Sequence, residues 1–143
     1  MRILAIDPGS KHIGLALSDP SGTIAGPLAV INHISRSVDA ATVVQLALSN
    51  QAGLLVIGQS LDADGIPTFE GRQAGRFGEA LKMQTSLPVV FWDEAFTTID
   101  ARRARIEMGV SRRDRSGHLD SLAAVILLQS YIDAHIGKKD EEP

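Results

Sequence analysis

Three apolar runs fill the first 32 residues, and turn-forming residues close the first two. The run from Arg2 ends in Asp7 and is followed by Pro8-Gly9; residues 13–18 lead into Asp19-Pro20-Ser21-Gly22; residues 23–32 are rich in Ile, Val, Leu and Ala. Short apolar runs bounded by such turns read as the strands of an antiparallel meander. The spacing then changes. A helical period covers residues 36–51, with Val38, Ala41, Val44 and Leu48 as its apolar face. A short buried strand at 54–58 follows, then a turn-rich loop over 59–67. A second amphipathic helix at 69–85 places Phe69, Ala74, Phe77 and Leu81 on one face. Residues 88–92 form another buried strand ending in Asp93-Glu94. Beyond it come a helix over about 98–108, an arginine-rich loop, a strongly apolar helix over 119–135 and a charged tail. A meander followed by strand–helix alternation predicts an α/β fold: a five-stranded mixed sheet, three strands antiparallel and two parallel to the first, flanked by helices. One domain is expected over 1–137, with 138–143 as a frayed tail.

Composition removes several function classes. The chain has no cysteine, which excludes disulfides, zinc–thiolate sites and thiol nucleophiles. No apolar run approaches the ~20 residues of a membrane span, and Asp7 interrupts the N-terminal run too early for a signal peptide. A cytoplasmic protein that does not enter membranes is expected. Fourteen basic against seventeen acidic residues give a net charge of −3, which by itself argues against a general nucleic-acid binder. The distribution is uneven: between residues 102 and 115, Arg102, Arg103, Arg105, Arg112, Arg113 and Arg115 face only Glu107 and Asp114. Such a cluster is either a solvated surface or a phosphate-binding one.

The acidic residues supply the chemistry. Asp7 closes the first strand, Asp93 and Glu94 close the fifth, and Asp120 lies in the first turn of the last helix. Ligands of open α/β sheets bind beyond the carboxyl ends of the parallel strands, where Asp7 and Glu94 would converge. Asp120 joins them if the last helix packs beside that edge. Taken singly, Asp7 is equally a turn former and Asp120 a helix cap. Gathered together, three carboxylates repel and call for a cation. Oxygen ligands without thiolates suit one or two Mg²⁺ or Mn²⁺ ions, whose usual chemistry is phosphoryl transfer. Lys11, in the first hairpin, and Thr97 and Thr98, at a helix start, are placed to meet phosphates; an exposed lysine and a hydroxyl cap account for them equally well. His118 precedes Asp120 by two residues, and a structural or merely exposed role suits it better than proton transfer. His135 is assigned to the favourable field of a helix C-terminus.

Four segments in register resemble one family. Asp7-x-Gly9-x-Lys11-x-Ile13-Gly14-Leu15-Ala16-x-Ser18-Asp19 is similar to the opening signature of the YqgF/RuvX family, Holliday-junction resolvase-like proteins also described as pre-16S ribosomal RNA nucleases. Val56-Ile57-Gly58-x-x-Leu61-x-x-Asp64-Gly65, Asp93-Glu94-x-x-Thr97-Thr98-x-x-Ala101 and Leu119-Asp120-Ser121-x-Ala123-Ala124-x-Ile126-Leu127-Leu128 resemble its later motifs. The resemblance spans nearly the whole chain. It implies a ribonuclease H-like fold and a metal-dependent nuclease whose catalytic and metal-binding carboxylates are Asp7, Glu94 and Asp120. It also implies structured nucleic acid as partner, either precursor ribosomal RNA or branched DNA. The chain departs from the family where Ala95-Phe96 replace Arg-Leu after the acidic pair. Ser116 and His118 stand near customary lysines, and Ala123 occupies the position of a further acid in the broader resolvase class.

The expected function is hydrolysis of phosphodiesters in structured nucleic acid, with processing of the 5′ end of precursor 16S ribosomal RNA preferred on family grounds. Lys11, Thr97, Thr98, Arg102, Arg112, Arg113 and Arg115 would hold the backbone, and the chain would act as a monomer or homodimer. The alternatives are a junction-cleaving DNA endonuclease and a nucleic-acid-binding ribosome-maturation factor without catalysis. Sugar-kinase- and actin-like ATPases share the Asp-x-Gly hairpin, but they clamp nucleotide between two domains of this fold, and one domain is expected here.

Overall fold

A computed structural model of the chain describes residues 1–96 and 115–141, with side chains described for 1–95 and 122–135. Strands β1 (Arg2–Pro8), β2 (His12–Ser18) and β3 (Ala25–Asn32) form the expected meander. Helix α1 (Arg36–Ser49), β4 (Ala52–Gln59), α2 (Phe69–Lys82) and β5 (Val89–Asp93) follow. A single 3₁₀ turn, Glu94–Phe96, leaves β5, and helix α3 (Arg115–Glu141) completes the described chain. The sheet order is β3-β2-β1-β4-β5, with β1, β4 and β5 mutually parallel and β2 antiparallel to both neighbours. No described helix is long and apolar enough to cross a membrane.

Alternation along the strands divides the core between the two faces of the sheet. Leu4, Ile6, Ile13, Leu15, Leu55 and Ile57 face α1 and α2. Ile3, Ala5, Ala16 and Val56 face α3, which contributes Ala124, Leu127, Leu128 and Ile132. Two polar contacts pin α3 across the sheet. Gln129 Oε1 accepts from Ala25 N at 2.9 Å at the β3 edge, and Trp92 Nε1 donates to Ser130 Oγ at 3.0 Å on β5.

The helices depart from the sequence reading in phase and length. On α1 the buried stripe is Ala40, Val43, Val44 and Ala47, while Val38, Ala41 and Leu48 are exposed. Apolar residues nearly encircle this helix, so spacing alone does not select its inner face; the small side chains lie inward and let it approach the sheet. Phe69 is likewise 62 % exposed rather than part of the α2 core face, which consists of Ala74, Phe77 and Leu81. Thr68 caps α2 by accepting from Gly71 N at 3.2 Å, so Phe69 is the first helical residue. Helix α3 continues to Glu141, so His135 is not near its end; instead its ring stacks on Tyr131, with centroids 4.0 Å apart.

Helix α2 seats closely because it lacks side chains where it crosses the sheet. A Cβ on Gly78 would lie 2.5 Å from Phe91 Cζ and 3.2 Å from Ile57 Cδ1. Gly78→Ala gains about 1 kcal/mol of helix propensity, but overpacking costs about 1–3 kcal/mol. The expected result is a net destabilisation of about 1 kcal/mol, read as a lower denaturant midpoint at unchanged slope.

Candidate active site

The parallel register brings the chain's acids to one edge. Ile6 pairs with Ile57 and Gly58 with Trp92, so the C-terminal ends of β1, β4 and β5 lie level. Asp7 shares the parity of Ile3 and Ala5 and so falls on the α3 side of the sheet; Glu94 reaches the same side, over Gly58 and beside Leu127. There the Asp7 and Glu94 carboxyls meet in a hydrogen bond. Glu94 lies over Gly58, where an added Cβ would be 2.8 Å from Glu94 Oε1 and 3.0 Å from Leu127 Cδ2. The bare glycine thus makes room for the carboxylate. Sequence reasoning placed Gly58 in a family-like segment near the end of an apolar strand but missed this role for it.

The two adjacent acids on β5 separate in function. Asp93 Oδ1 accepts from Ala95 N at 2.9 Å and caps the 3₁₀ turn, which carries Glu94 back over the sheet. Burial pushes the Glu94 carboxyl above its ordinary value; the hydrogen bond with Asp7 opposes this, and the charges of Asp93 and Glu70 reinforce it. Glu70, in the first turn of α2, is a neighbour that sequence reasoning did not include.

Glu94 binds its proton more tightly folded than unfolded. It contributes stability that is full below its unfolded value near 4.5 and is lost as pH rises through the higher folded value. In chelator, Glu94→Gln is therefore expected to flatten the fall in melting temperature between pH 4 and 7 relative to wild type. Parallel melting curves for the two proteins that keep the same slope would contradict this.

Lys11 is exposed in the β1–β2 turn. That turn is tight at Gly9, where a Cβ would run into the His12 carbonyl. Asp120 belongs to α3, four residues before buried Ala124 and seven before Leu127, so its backbone position falls on the helix's inner stripe. The side chains of Asp120, His118 and Arg115 lie outside the described residues, as do Thr97, Thr98, Arg102, Arg112 and Arg113 entirely. Among the described residues no three acidic or histidine side chains are arranged so that they could hold a metal ion. The donor set at this edge, two touching carboxylates in a chain without cysteine, fits a hard divalent cation and not a soft one.

Residues 1–134 match the family model described as RuvX: Holliday junction resolvase. The chain belongs to this family. Curated relatives match over most of their length. A protein of Thermoanaerobacter pseudethanolicus named "Putative pre-16S rRNA nuclease" is 39 % identical over 139 residues, covering 96 % of this chain and 100 % of that one. A protein of the same name from Caldanaerobacter subterraneus subsp. tengcongensis is 38 % identical, covering 94 % and 97 %. This chain also shares its fold with T. thermophilus RuvC, solved in complex with a Holliday junction substrate, at a TM-score of 0.62 and 17 % identity over 96 % of both chains. The fowlpox virus Holliday junction resolvase gives 0.58 at 12 % identity, covering 94 % of this chain and 99 % of that one. The ribonuclease H-like fold expected from the sequence is therefore the observed one, and the chain's family is one of nucleases.

Proposed function

We propose that this chain is a divalent-metal-dependent nuclease that hydrolyses phosphodiesters in structured nucleic acid, with the 5′ end of precursor 16S ribosomal RNA as its substrate. The observation that carries the reading is the Asp7–Glu94 pair, held in contact over Gly58 at the carboxyl ends of parallel strands. Two crowded carboxylates are costly unless a cation or a shared proton offsets them. Full-length relatives named for pre-16S ribosomal RNA favour RNA over junction DNA.

In this reading Asp7, Glu94 and Asp120 hold one or two Mg²⁺ or Mn²⁺ ions. When bound, the metal lowers the pKa of a coordinated water and offsets charge on the phosphate. Without a cation, Asp7 and Glu94 share a proton across their hydrogen bond; giving up that proton leaves the negative charge that would hold a bound cation. Lys11, Thr97, Thr98, Arg102, Arg112, Arg113 and Arg115 bind backbone phosphates, so affinity falls as salt rises. Water attacks directly, without a covalent enzyme intermediate.

The family model's own description favours junction cleavage as the second reading. Symmetric incision of a junction requires two active sites and hence a homodimer. A cleavage panel separates the readings: precursor 16S RNA carrying its 5′ extension, a four-way DNA junction, and linear duplex and single-stranded forms of each, with Mg²⁺ or Mn²⁺. Trimming of the precursor in preference to the junction is expected. Preferential paired nicking of the junction by a dimer would favour the second reading, and binding without cleavage would make the chain a maturation factor.

A further inference from the structure

A cleft of about 600 Å³ opens on the opposite face of the sheet from the carboxylate pair, between the first turn of α1 and the first half of α2. Its volume is that of a small-molecule or nucleotide site. The third wall is Pro8-Gly9-Ser10, the end of β1 and the start of the turn that follows it. Only Pro8 separates Asp7 from Gly9 and Ser10 in the chain, so the cleft and the acidic pair flank the same β1–β2 turn.

The cleft's buried charge is already satisfied. Asp39 is 2 % exposed, accepts from Ile34 N at 3.0 Å and contacts His33 Nδ1 at 2.5 Å. The groups left to meet a ligand are of another kind. Phe69 presents its ring to solvent, and the Arg72 guanidinium lies 5.8 Å from the ring centroid. Gln73 offers an amide donor and acceptor, Ser10 a hydroxyl, and Arg36 a cation in the first turn of α1. A flat aromatic face, an edge-reading amide and a cation at a helix N-terminus are what an unpaired nucleotide requires. Glu70, also on the wall, disfavours a phosphate nearby and could accept from an exocyclic amino group.

We propose that this cleft is a base-holding subsite: an unpaired base of the substrate strand stacks on Phe69 and meets Gln73 and Ser10 with its polar edge, while its phosphate lies by Arg36. The inference rests on the nuclease reading above and adds to it a place for a nucleotide flanking the cut.

The test uses the full chain, a fluorescein-labelled stem–loop RNA and a labelled four-way DNA junction, with anisotropy at one fixed salt concentration. Phe69→Ala is expected to weaken binding about tenfold, the usual scale of one base–aromatic stack, and Phe69→Tyr to restore it. Ile66→Ala, a 59 % exposed apolar side chain that does not line the cleft, is expected to leave binding unchanged. Single abasic nucleotides are then placed one at a time around the cleavage position. One such position should lower wild-type affinity about tenfold and cause no further loss in Phe69→Ala, since both changes remove the same contact. If the protein binds and cleaves but Phe69→Ala and the abasic scan have no effect, the subsite is wrong and the nuclease reading stands. If wild type neither binds nor cleaves either probe with Mg²⁺ or Mn²⁺, the nuclease reading fails and the subsite with it.

Discussion

With Asp7 replaced by Asn, the protein is expected to cleave nucleic acid at least about a hundredfold more slowly than wild type while keeping its fold. Asparagine has the size of aspartate and retains a hydrogen-bonding group toward Glu94, so β1 and its neighbours have no reason to move. What is lost is one of the two carboxyl groups that meet at the strand ends, and with it a negative charge available to a metal. A charge of this kind at a metal-dependent site is worth several kcal/mol in the transition state, and each 1.36 kcal/mol is a factor of ten in rate. Stability should hold or rise, because removing one of two adjacent carboxylates relieves their repulsion. Initial rates and melting curves on the same preparation check both halves. A near-wild-type rate would remove Asp7 from the chemistry, and a collapsed melting temperature would make its role structural.

Gly58→Ala is expected to lower the rate nearly as far, by about a hundredfold, although it changes no charged group. The new methyl would lie 2.8 Å from Glu94 Oε1 and 3.1 Å from Glu94 Cγ on one side, and 3.0 Å from Leu127 Cδ2 on the other. Leu127 is buried on α3, whereas Glu94 sits on a single 3₁₀ turn and yields more easily. A displacement of about 1 Å at a reacting group costs about a hundredfold. Overpacking should cost only about 1–3 kcal/mol of stability. The variant therefore tests position rather than charge. Unchanged cleavage by Gly58→Ala would mean that Glu94 need not lie over β4.

The sheet is legible in the sequence because its strands are short apolar runs bounded by turn residues, and because the order of runs and helical segments leaves few ways to connect them. The acidic pair is legible for a related reason. Asp7 and Glu94 lie at the carboxyl ends of parallel strands, which the order of strands and helices brings to one edge. The inner face of α1 is not legible, since Val38 and Leu48 are more apolar than the alanines that are buried instead. Phe69 reads as core but is exposed, because the Thr68 cap begins the helix there. Gly58 is invisible for a deeper reason: it acts by having no side chain, and only the register opposite Trp92 and the return of Glu94 reveal the space it leaves. The net charge is likewise a poor guide, since it averages an acidic strand edge with an arginine-rich segment.

The central claim is that the carboxyl edge of β1, β4 and β5 is a metal-dependent hydrolytic site. The most direct measurement is cleavage of precursor RNA by protein stripped with chelator and titrated with Mg²⁺ or Mn²⁺, wild type beside Asp7→Asn. The predicted result is no cleavage in chelator, saturable recovery in wild type and no comparable recovery in the variant. Cleavage that persists in chelator, or that returns equally in both proteins, would contradict it.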